Sequence, residues 1–392
     1  MTPRGTPLDV TLTVSDATVR LTGADVDVSA PHGGVRPGLS NALQDVRLER
    51  IRRGGVAVVR DVEPEAGGAP GLVSLRRAGE LLAESFLPAP VAEALRRLLQ
   101  RATRDFLALR IGVDAPGLAA LPWEALRDPV SAQPLALHPH VVVYRCSRAT
   151  APALLAGPLR IVVAIASPDV GGGPLLDYEH ELRAVLAAVR QARRYEARVE
   201  VVPFATTQAI RAALDMPGGA HVLHISAHGS PGALVLEDED GAAREVSAEE
   251  LMAEAIPPGK MPPVLALAAC YTDVDGEQQG SSFAAQLAAR GVCAVIGTQT
   301  SVTDRYATML FAKVYAELAG SRDPDVVRAV GDARRFVQQA LLAGRDRAAQ
   351  ALAGMDEWGV VTLLANAPAV PVIDHRRPKV PLPSPHAAEW AG

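Results

Sequence analysis

The chain has 392 residues, of which 48% are hydrophobic and 21% charged, with a formal net charge of −5 at pH 7. This composition is typical of a folded globular protein with room for two domains. The lysines and arginines form no basic stripe, so we expect no direct nucleic-acid partner. No apolar run reaches the roughly 20 residues that span a bilayer, and no signal peptide is visible, which predicts a cytoplasmic protein without a membrane partner.

The chain contains three cysteines, Cys146, Cys270 and Cys293. An odd number at wide spacing fits neither a disulfide framework nor a zinc site, so we expect three reduced thiols. No metal-binding cluster and no organic-cofactor motif appears, and the prediction is therefore a protein that needs no cofactor.

Residues 1–150 are predicted to form a β-rich α+β N-terminal domain. Apolar and polar residues alternate over 8–29, as they do in half-buried antiparallel strands. Further elements are a helix over 88–103 and strands over 106–111 and 141–144. An Ala- and Pro-rich linker at 149–158 marks the predicted domain boundary.

From 151 to 370 the pattern changes to apolar runs separated by amphipathic helices, which predicts an α/β domain with a mainly parallel sheet covered on both faces. Its strands are expected at 159–165, 199–202, 221–225, 264–269, 292–297 and 359–364. Its helices are expected at 179–193, 207–214, 248–255, 282–290, 304–318 and 325–342. A hairpin is expected at 234–246, and 371–392 forms a Pro-rich, extended C-terminal tail.

Two of these strands end in residues that can do chemistry. One runs into Ser226-Ala227-His228-Gly229 and the next into Ala268-Ala269-Cys270. Because reactive groups of open α/β sheets lie beyond the carboxyl ends of the strands, a histidine and a thiol are expected at one edge. An imidazole beside a thiol increases its thiolate fraction and can then protonate a leaving amine. The backbone N–H groups of Gly229 and Cys270 are candidate oxyanion donors.

A purely structural explanation competes with this one, since cysteine is often a buried core residue. Cys293 fits that explanation, because it lies inside an apolar run. Cys146 follows a strand near Arg145 and is expected to be more accessible, but no histidine ends a matching strand.

Three glycines at 171–173 suggest a nucleotide site, yet the phosphate-binding patterns are absent and a turn is favoured.

The motifs together resemble the CHAT family, relatives of caspases and separases. Its His-x-x-x-His-Gly hallmark is matched by His224 to Gly229, and its nucleophile strand by Ala268-Ala269-Cys270. The resemblance extends over roughly 105–365 through these segments: Leu121-Pro122-Trp123-Glu124, Ala294-Val295-Ile296-Gly297-Thr298, Asp304 and Trp358-Gly359.

The resemblance implies a caspase-like fold, with His228 as general base, Cys270 as nucleophile and the Gly229 backbone in the oxyanion hole. His224 is not the base of the family, and a buried structural role is expected for it. The chain departs from the family pattern where Ala269 replaces the usual Ser and Thr300 the usual Trp. Tyr271 and Asp273 also stand where Glu and Gly are common. These changes bear on substrate preference.

Acidic residues follow the nucleophile at Asp273, Asp275 and Glu277. They form a candidate substrate pocket for a basic side chain, although solvated loop charges are the favoured explanation. Asp177, Glu179 and Glu181 are predicted to be acids in the first turn of a helix, where they complement its dipole. No catalytic role is assigned to them.

The predicted function is that of a cysteine endopeptidase that cleaves specific partner proteins by a Cys-His dyad in bacterial signalling or defence. The N-terminal domain is expected to be regulatory, or an inactive companion layer that extends the sheet, and an activator protein is a further expected partner. The alternative is a catalytically silent scaffold or binding module with the same fold.

Overall fold

An 11-stranded sheet runs through the part of the chain that a computed structural model describes. That part comprises residues 7–39, 74–102, 106–147, 154–169, 178–192, 196–230, 232–270, 272–273 and 281–381. Sheets of three and two strands accompany the large one. No helix in these ranges is both long enough and apolar enough to cross a membrane.

The strands are β1 (Leu8–Val14), β2 (Thr18–Gly23), β3 (Val26–Pro31), β4 (Leu107–Val113), β5 (Val141–Cys146), β6 (Leu155–Ala156), β7 (Leu159–Ile165), β8 (Ala197–Pro203), β9 (Val222–Ser226), β10 (His228–Ser230), β11 (Ala233–Glu237), β12 (Ala243–Ser247), β13 (Val264–Ala268), β14 (Ala294–Thr298), β15 (Val361–Ala365) and β16 (Ile373–Asp374).

The helices are α1 (Leu75–Phe86), α2 (Ala89–Arg101), α3 (Pro116–Ala119), α4 (Tyr178–Ala192), α5 (Thr207–Leu214), α6 (Ala248–Glu250), α7 (Phe283–Ala289), α8 (Asp304–Gly320), α9 (Val326–Ala343) and α10 (Arg347–Ala353). Helix α6 continues as a π-helical turn over Leu251–Ala255.

The large sheet has the strand order β3-β2-β1-β4-β5-β15-β14-β13-β9-β7-β8. Strands β14, β13, β9, β7 and β8 are mutually parallel, and so are β15, β5, β4 and β1. The two groups meet where β15 runs antiparallel to β14. The prediction of a mainly parallel sheet flanked by helices, preceded by a strand-rich region, is confirmed. The antiparallel junction was not predicted.

Both faces of the sheet are covered, as the apolar runs predicted. Ile161, Val163 and Ile165 of β7 belong to one core, with α4, α8 and α9. Val162 and Ala164 of the same strand belong to a second core, with α5, α6 and α7. The alternation of side chains along a strand thus divides one apolar run between two buried layers.

The strands of the first 150 residues extend this sheet, so one set of backbone hydrogen bonds joins them to the later strands. Strands β1, β2 and β3 pair antiparallel, and Val10, Leu12 and Val14 are buried while their neighbours are not, which confirms the half-buried pattern. The division into domains at 149–158 stays a prediction, and residues 148–153 lie outside the described ranges.

Helix α1 is an element that the sequence pattern did not predict. Its Gly79 lowers the intrinsic helix propensity of the segment. A Cβ at this position would lie 2.1 Å from the carbonyl oxygen of Ala125, so only glycine lets the helix approach that segment. The contact exists only in the folded chain, and the sequence pattern therefore does not contain it.

Candidate active site

The register of β9 and β13 brings the predicted dyad to one edge of the sheet. Ser226 pairs with Ala268, the last residues of these two parallel strands. His228 and Cys270 each lie two residues further along, at matching positions beyond the carboxyl ends. Neighbouring strands are about 4.8 Å apart. Both side chains are partly exposed, in contrast to the buried strands that lead to them.

Gly229 is in close contact with the nucleophile turn. A Cβ on Gly229 would lie 2.2 Å from the carbonyl oxygen of Cys270 and 3.3 Å from the Cβ of Ala269. A distance of 2.2 Å is far inside van der Waals contact, so any side chain here would force the two segments apart. The structure therefore gives a physical reason for glycine directly after the histidine.

The nucleophile turn is held by the neighbouring strand β14. The Thr298 hydroxyl donates to the carbonyl oxygen of Ala269 at 2.8 Å, and its backbone N–H donates to the Thr272 hydroxyl at 3.0 Å. The N–H of Asp273 donates to the Thr298 carbonyl at 2.8 Å. These three bonds fix the backbone on both sides of Cys270.

A small antiparallel sheet carries the histidine. Strand β10 begins at His228, which pairs with Val235 of β11, and β11 pairs with β12. Strands β11 and β12 are the predicted hairpin. Helix α6 follows directly, and Ser247 and Glu250 form a reciprocal capping box at its start. His228 is thus attached to two sheets, through β9 on one side and β11 on the other.

A buried polar cluster lies on β9 just before the dyad. The carboxylate of Glu181, on α4, accepts a hydrogen bond from the Ser226 hydroxyl at 2.6 Å. Its other oxygen is 3.2 Å from Nε2 of His224, an ion-pair distance without good hydrogen-bond alignment. Nδ1 of His224 is 2.8 Å from the hydroxyl oxygen of Tyr315 on α8. His224 is fully buried, as expected, and is therefore separate from the edge of the sheet.

Glu181 carries charge in this cluster despite its burial. Burial opposes ionisation, but the interactions with His224 and Ser226 outweigh it and lower the pKa of the Glu181 carboxyl. Burial and the negative charge of Glu181 raise the pKa of Tyr315 well above its ordinary value. Glu181 is in the first turn of α4, as predicted, but its contacts with β9 were not predicted. No local pattern signals these contacts, because Glu181 is more than forty residues from His224 and Ser226 in the sequence.

A second histidine and a second cysteine lie at the amino ends of strands β9 and β14. Their environment is buried, whereas that of His228 and Cys270 is partly exposed. His221 is fully buried and accepts the backbone N–H of Arg160 at Nδ1, at 3.0 Å. Burial and the charge of Arg160 lower its pKa to about 3. Cys293 is a core residue, as predicted, and burial raises its pKa to about 11. Cys146 is exposed, and no disulfide joins the three cysteines.

The side chain of Asp273 is enclosed, although the residue as a whole is half-buried, and this does not fit the favoured explanation of an exposed loop charge. Its side chain is 7% exposed, accepts a hydrogen bond from the Ser282 hydroxyl at 2.6 Å, and lies 3.7 Å from the Arg145 guanidinium. The reason is that Arg145 reaches it from β5, a strand distant in sequence. Asp275 and Glu277 lie outside the described residues.

Arg145 is itself bound to the fully buried Glu124. Its Nε and Nη2 donate to the two carboxylate oxygens of Glu124 at 2.9 and 2.7 Å, and it also donates to the carbonyl oxygens of Ala119 and Leu121. Arg145 is therefore shared between two carboxylates, those of Glu124 and Asp273, and the buried Arg334 also interacts electrostatically with Glu124. A cleft of about 190 Å³ opens here, lined by Trp123, Arg145, Cys146, Asp273, Ser282 and Leu364 among others.

A second cleft, of about 250 Å³, lies near the amino end of β7 and is lined by residues such as Pro158, Leu318, Arg322 and His375. It is therefore at the opposite end of the strands from His228 and Cys270. The described residues contain no group of three or more histidine, cysteine or acidic side chains arranged to hold a metal ion.

Comparison with known protein families assigns the chain to one of them. The sequence model of the CHAT domain matches residues 76–370, about three quarters of the protein. The chain belongs to the CHAT domain family, and the family predicted from the motifs is confirmed. No curated protein matches.

Solved structures with similar folds are distant. The complex of Porphyromonas gingivalis RgpB pro- and mature domains has 13% identity and a TM-score of 0.45, with 72% of this chain and 70% of that chain covered. The Saccharomyces cerevisiae separase–securin complex at 3.0 Å has 11% identity and a TM-score of 0.41, with 84% of this chain and 22% of that chain covered.

Proposed function

We propose that this CHAT protein is a cysteine endopeptidase with Cys270 as nucleophile and His228 as general base. The observation that supports this most directly is the register of β9 and β13, which aligns the two residues just past a pair of hydrogen-bonded strand ends. The close approach of Gly229 to the Cys270 carbonyl adds to it, because it ties the two segments together at that point.

In the proposed reaction the imidazole of His228 takes the thiol proton, and the thiolate of Cys270 attacks the carbonyl carbon of the scissile peptide bond. The backbone N–H groups of Gly229 and Cys270 stabilise the negative oxygen that forms. His228 then protonates the departing amine, and the C–N bond breaks to leave an acyl-enzyme. A water molecule, deprotonated by the same imidazole, hydrolyses the thioester and regenerates the thiol.

We further propose that Asp273 contributes to the recognition of a basic substrate side chain. Its carboxylate lines the cleft: one oxygen accepts a hydrogen bond from Ser282, and the other is 3.7 Å from Arg145, which is already bound to Glu124. A carboxylate whose nearest cation is shared with a second carboxylate can attract a ligand of positive charge. Asp275 and Glu277 are included in this proposal through their position in the sequence alone.

The family resemblance supports the wider proposal of a cytoplasmic enzyme that cleaves a specific partner protein in bacterial signalling or defence, under the control of a regulatory partner. The strands of the first 150 residues, which extend the sheet, are proposed to be an inactive companion layer of the peptidase.

The dyad is tested by the rate at which iodoacetamide labels each cysteine between pH 5 and 9, in the parent protein and in His228→Ala. We expect Cys270 to react at least about tenfold faster than an ordinary thiol near neutral pH, and to lose this advantage in the variant. Cys146, which is exposed, is the internal reference within the same molecule.

Equal labelling of Cys270 in the two proteins would contradict the dyad and favour the alternative of a scaffold or binding module. Partner-binding assays would then replace the search for substrates.

Substrate class is tested with a peptide library in which the residue before the cleavage site is varied. We expect Lys or Arg to be preferred, and Asp273→Asn to reduce that preference about tenfold or more, because the carboxylate that lines the cleft is removed. The matched control is Glu239→Gln, which removes an exposed acid in the hairpin turn. A preference that is the same in Asp273→Asn and the parent assigns recognition to another residue.

A further inference from the structure

The polar cluster of Glu181, His224, Ser226 and Tyr315 joins two helices to the strand that leads to His228. Glu181 comes from α4 and Tyr315 from α8, while His224 and Ser226 lie on one face of β9. Phe311 of α8 packs edge-on against the His224 ring, at 4.8 Å between centroids. The cluster is thus enclosed on its helical side.

Ser226 is the point where this cluster reaches the site. Its hydroxyl is bound to Glu181, its carbonyl accepts the N–H of Ala166 at 2.9 Å, and its Cα is paired with that of Ala268. The side chain of Ser226, its carbonyl group and its pairing with the neighbouring strand are therefore all fixed. Only Ala227 separates this fixed residue from His228, so the end of β9 has little freedom to move the imidazole.

Apolar side chains at positions 181, 224 and 226 together would meet the needs of stability more simply. Removing a carboxylate from water is costly, and a buried ion pair is often no more stabilising than well-packed apolar residues of the same volume. What the charged cluster adds is a fixed geometry, because its hydrogen bonds are directional while apolar contacts are not.

We propose that Glu181 is a positioning residue for the general base, acting through Ser226 and His224 to fix the end of β9 from which His228 projects. This inference rests on the proposed function. It assigns a role to the first histidine of the His-x-x-x-His-Gly motif: His224 does not touch substrate, and it links Glu181 to Tyr315.

The experiment compares iodoacetamide labelling of Cys270 in the full-length parent, Glu181→Gln, Tyr315→Phe and Glu357→Gln proteins, each made with His228 and with His228→Ala. The quantity of interest is the ratio of rates with and without His228. We expect Glu181→Gln to reduce that ratio roughly tenfold or more, since a displacement of about 1 Å in a catalytic group has effects of that size. Tyr315→Phe, which removes one hydroxyl and keeps the ring, is expected to reduce it less.

Glu357→Gln is the matched control. Glu357 is also buried, and its carboxylate accepts hydrogen bonds from the N–H and hydroxyl of Thr303, both at 2.7 Å, at the start of α8. Its loss is expected to lower the thermal midpoint while the His228-dependent ratio stays at the parent value. A purely structural role for Glu181 would give that same pattern.

The outcomes are distinguishable. A ratio near one in the parent contradicts the proposed function itself, and with it the inference. A large parent ratio that survives in both Glu181→Gln and Tyr315→Phe overturns the inference alone. If Glu181→Gln does not fold, Tyr315→Phe decides: an unchanged ratio overturns the positioning role, and a reduced ratio in a protein of normal thermal midpoint supports it.

Discussion

The two ends of the parallel strands β9, β13 and β14 each carry a histidine and a cysteine, yet these residues differ in burial. At the amino ends His221 and Cys293 are fully buried, and their pKa values are about 3 and about 11. At the carboxyl ends His228 and Cys270 are partly exposed and at matching positions on adjacent strands.

Environment, rather than residue type, therefore separates a core pair from a candidate reactive pair. Burial holds both His221 and Cys293 in their neutral forms, in which the thiol is a poor nucleophile. In an open α/β sheet the carboxyl ends are where loops leave a crevice, and this is where the second pair lies. Substitutions at the two ends should accordingly give opposite phenotypes.

The largest effect is expected from replacing the two thiols in turn. Cys270→Ala should abolish cleavage of the best library peptide, by about a thousandfold or more, with little change in stability, because the nucleophile is lost. Cys293→Ala should keep the activity within about twofold and lower the free energy of unfolding by about 1 kcal/mol, since it leaves a small cavity.

Peptide cleavage and urea unfolding measured on both variants check this comparison. Retained cleavage in Cys270→Ala would show that the nucleophile lies elsewhere.

Gly229→Ala should give the next largest effect. The added Cβ would lie 2.2 Å from the Cys270 carbonyl oxygen, so the two segments must separate. We expect cleavage to fall about tenfold or more and unfolding free energy to fall by about 2 kcal/mol, as for other overpacked sites. Gly33→Ala is the control, because a Cβ on Gly33 meets no atom within 4 Å. Equal behaviour of the two variants would mean that the turn adjusts without cost.

The last effect, a dependence of stability on pH, is set by His221. Its pKa is about 3 in the folded protein and 6.5 as the ordinary value, so below pH 6.5 the unfolded chain binds a proton that the folded chain does not. Stability is thus lost as the pH falls from 6.5 towards 3, by about 1.4 kcal/mol per pH unit from this group. His221→Gln should show a shallower loss in urea unfolding at pH 6, 5 and 4. Parallel curves for the two proteins would exclude His221 as the source.

Much of the fold could be predicted from local patterns. Strand β7 and helix α5 are found over the predicted residues, and most other predicted elements begin and end within a few residues of the observed ones. Apolar periodicity is a strong signal because burial of one or both faces dictates it. Helix α1 was missed, since its glycine is explained only by a contact with a distant segment.

The candidate site likewise has one part that the sequence predicts and another part that it does not. The motif histidine and cysteine are predictable from their places at strand ends, and their identity as a pair stays a prediction that the alkylation experiment tests. The contacts of Glu181 with β9 and of Asp273 with Arg145 were not predictable, because each joins segments far apart in sequence. An acid in the first turn of a helix has the same sequence pattern whether it faces water or a buried histidine.

The sequence by itself determined the CHAT family, the alternation of strands and helices, and the residues that end β9 and β13. These depend on local order, namely which residues are apolar, the period at which they recur, and the residue types that come after each strand. The tertiary structure decided the antiparallel junction at β14 and β15, the buried carboxylates and the opposite environments of the two histidine and cysteine sets. Burial and charge pairing depend on segments brought together by folding, and no local pattern records which segments those are.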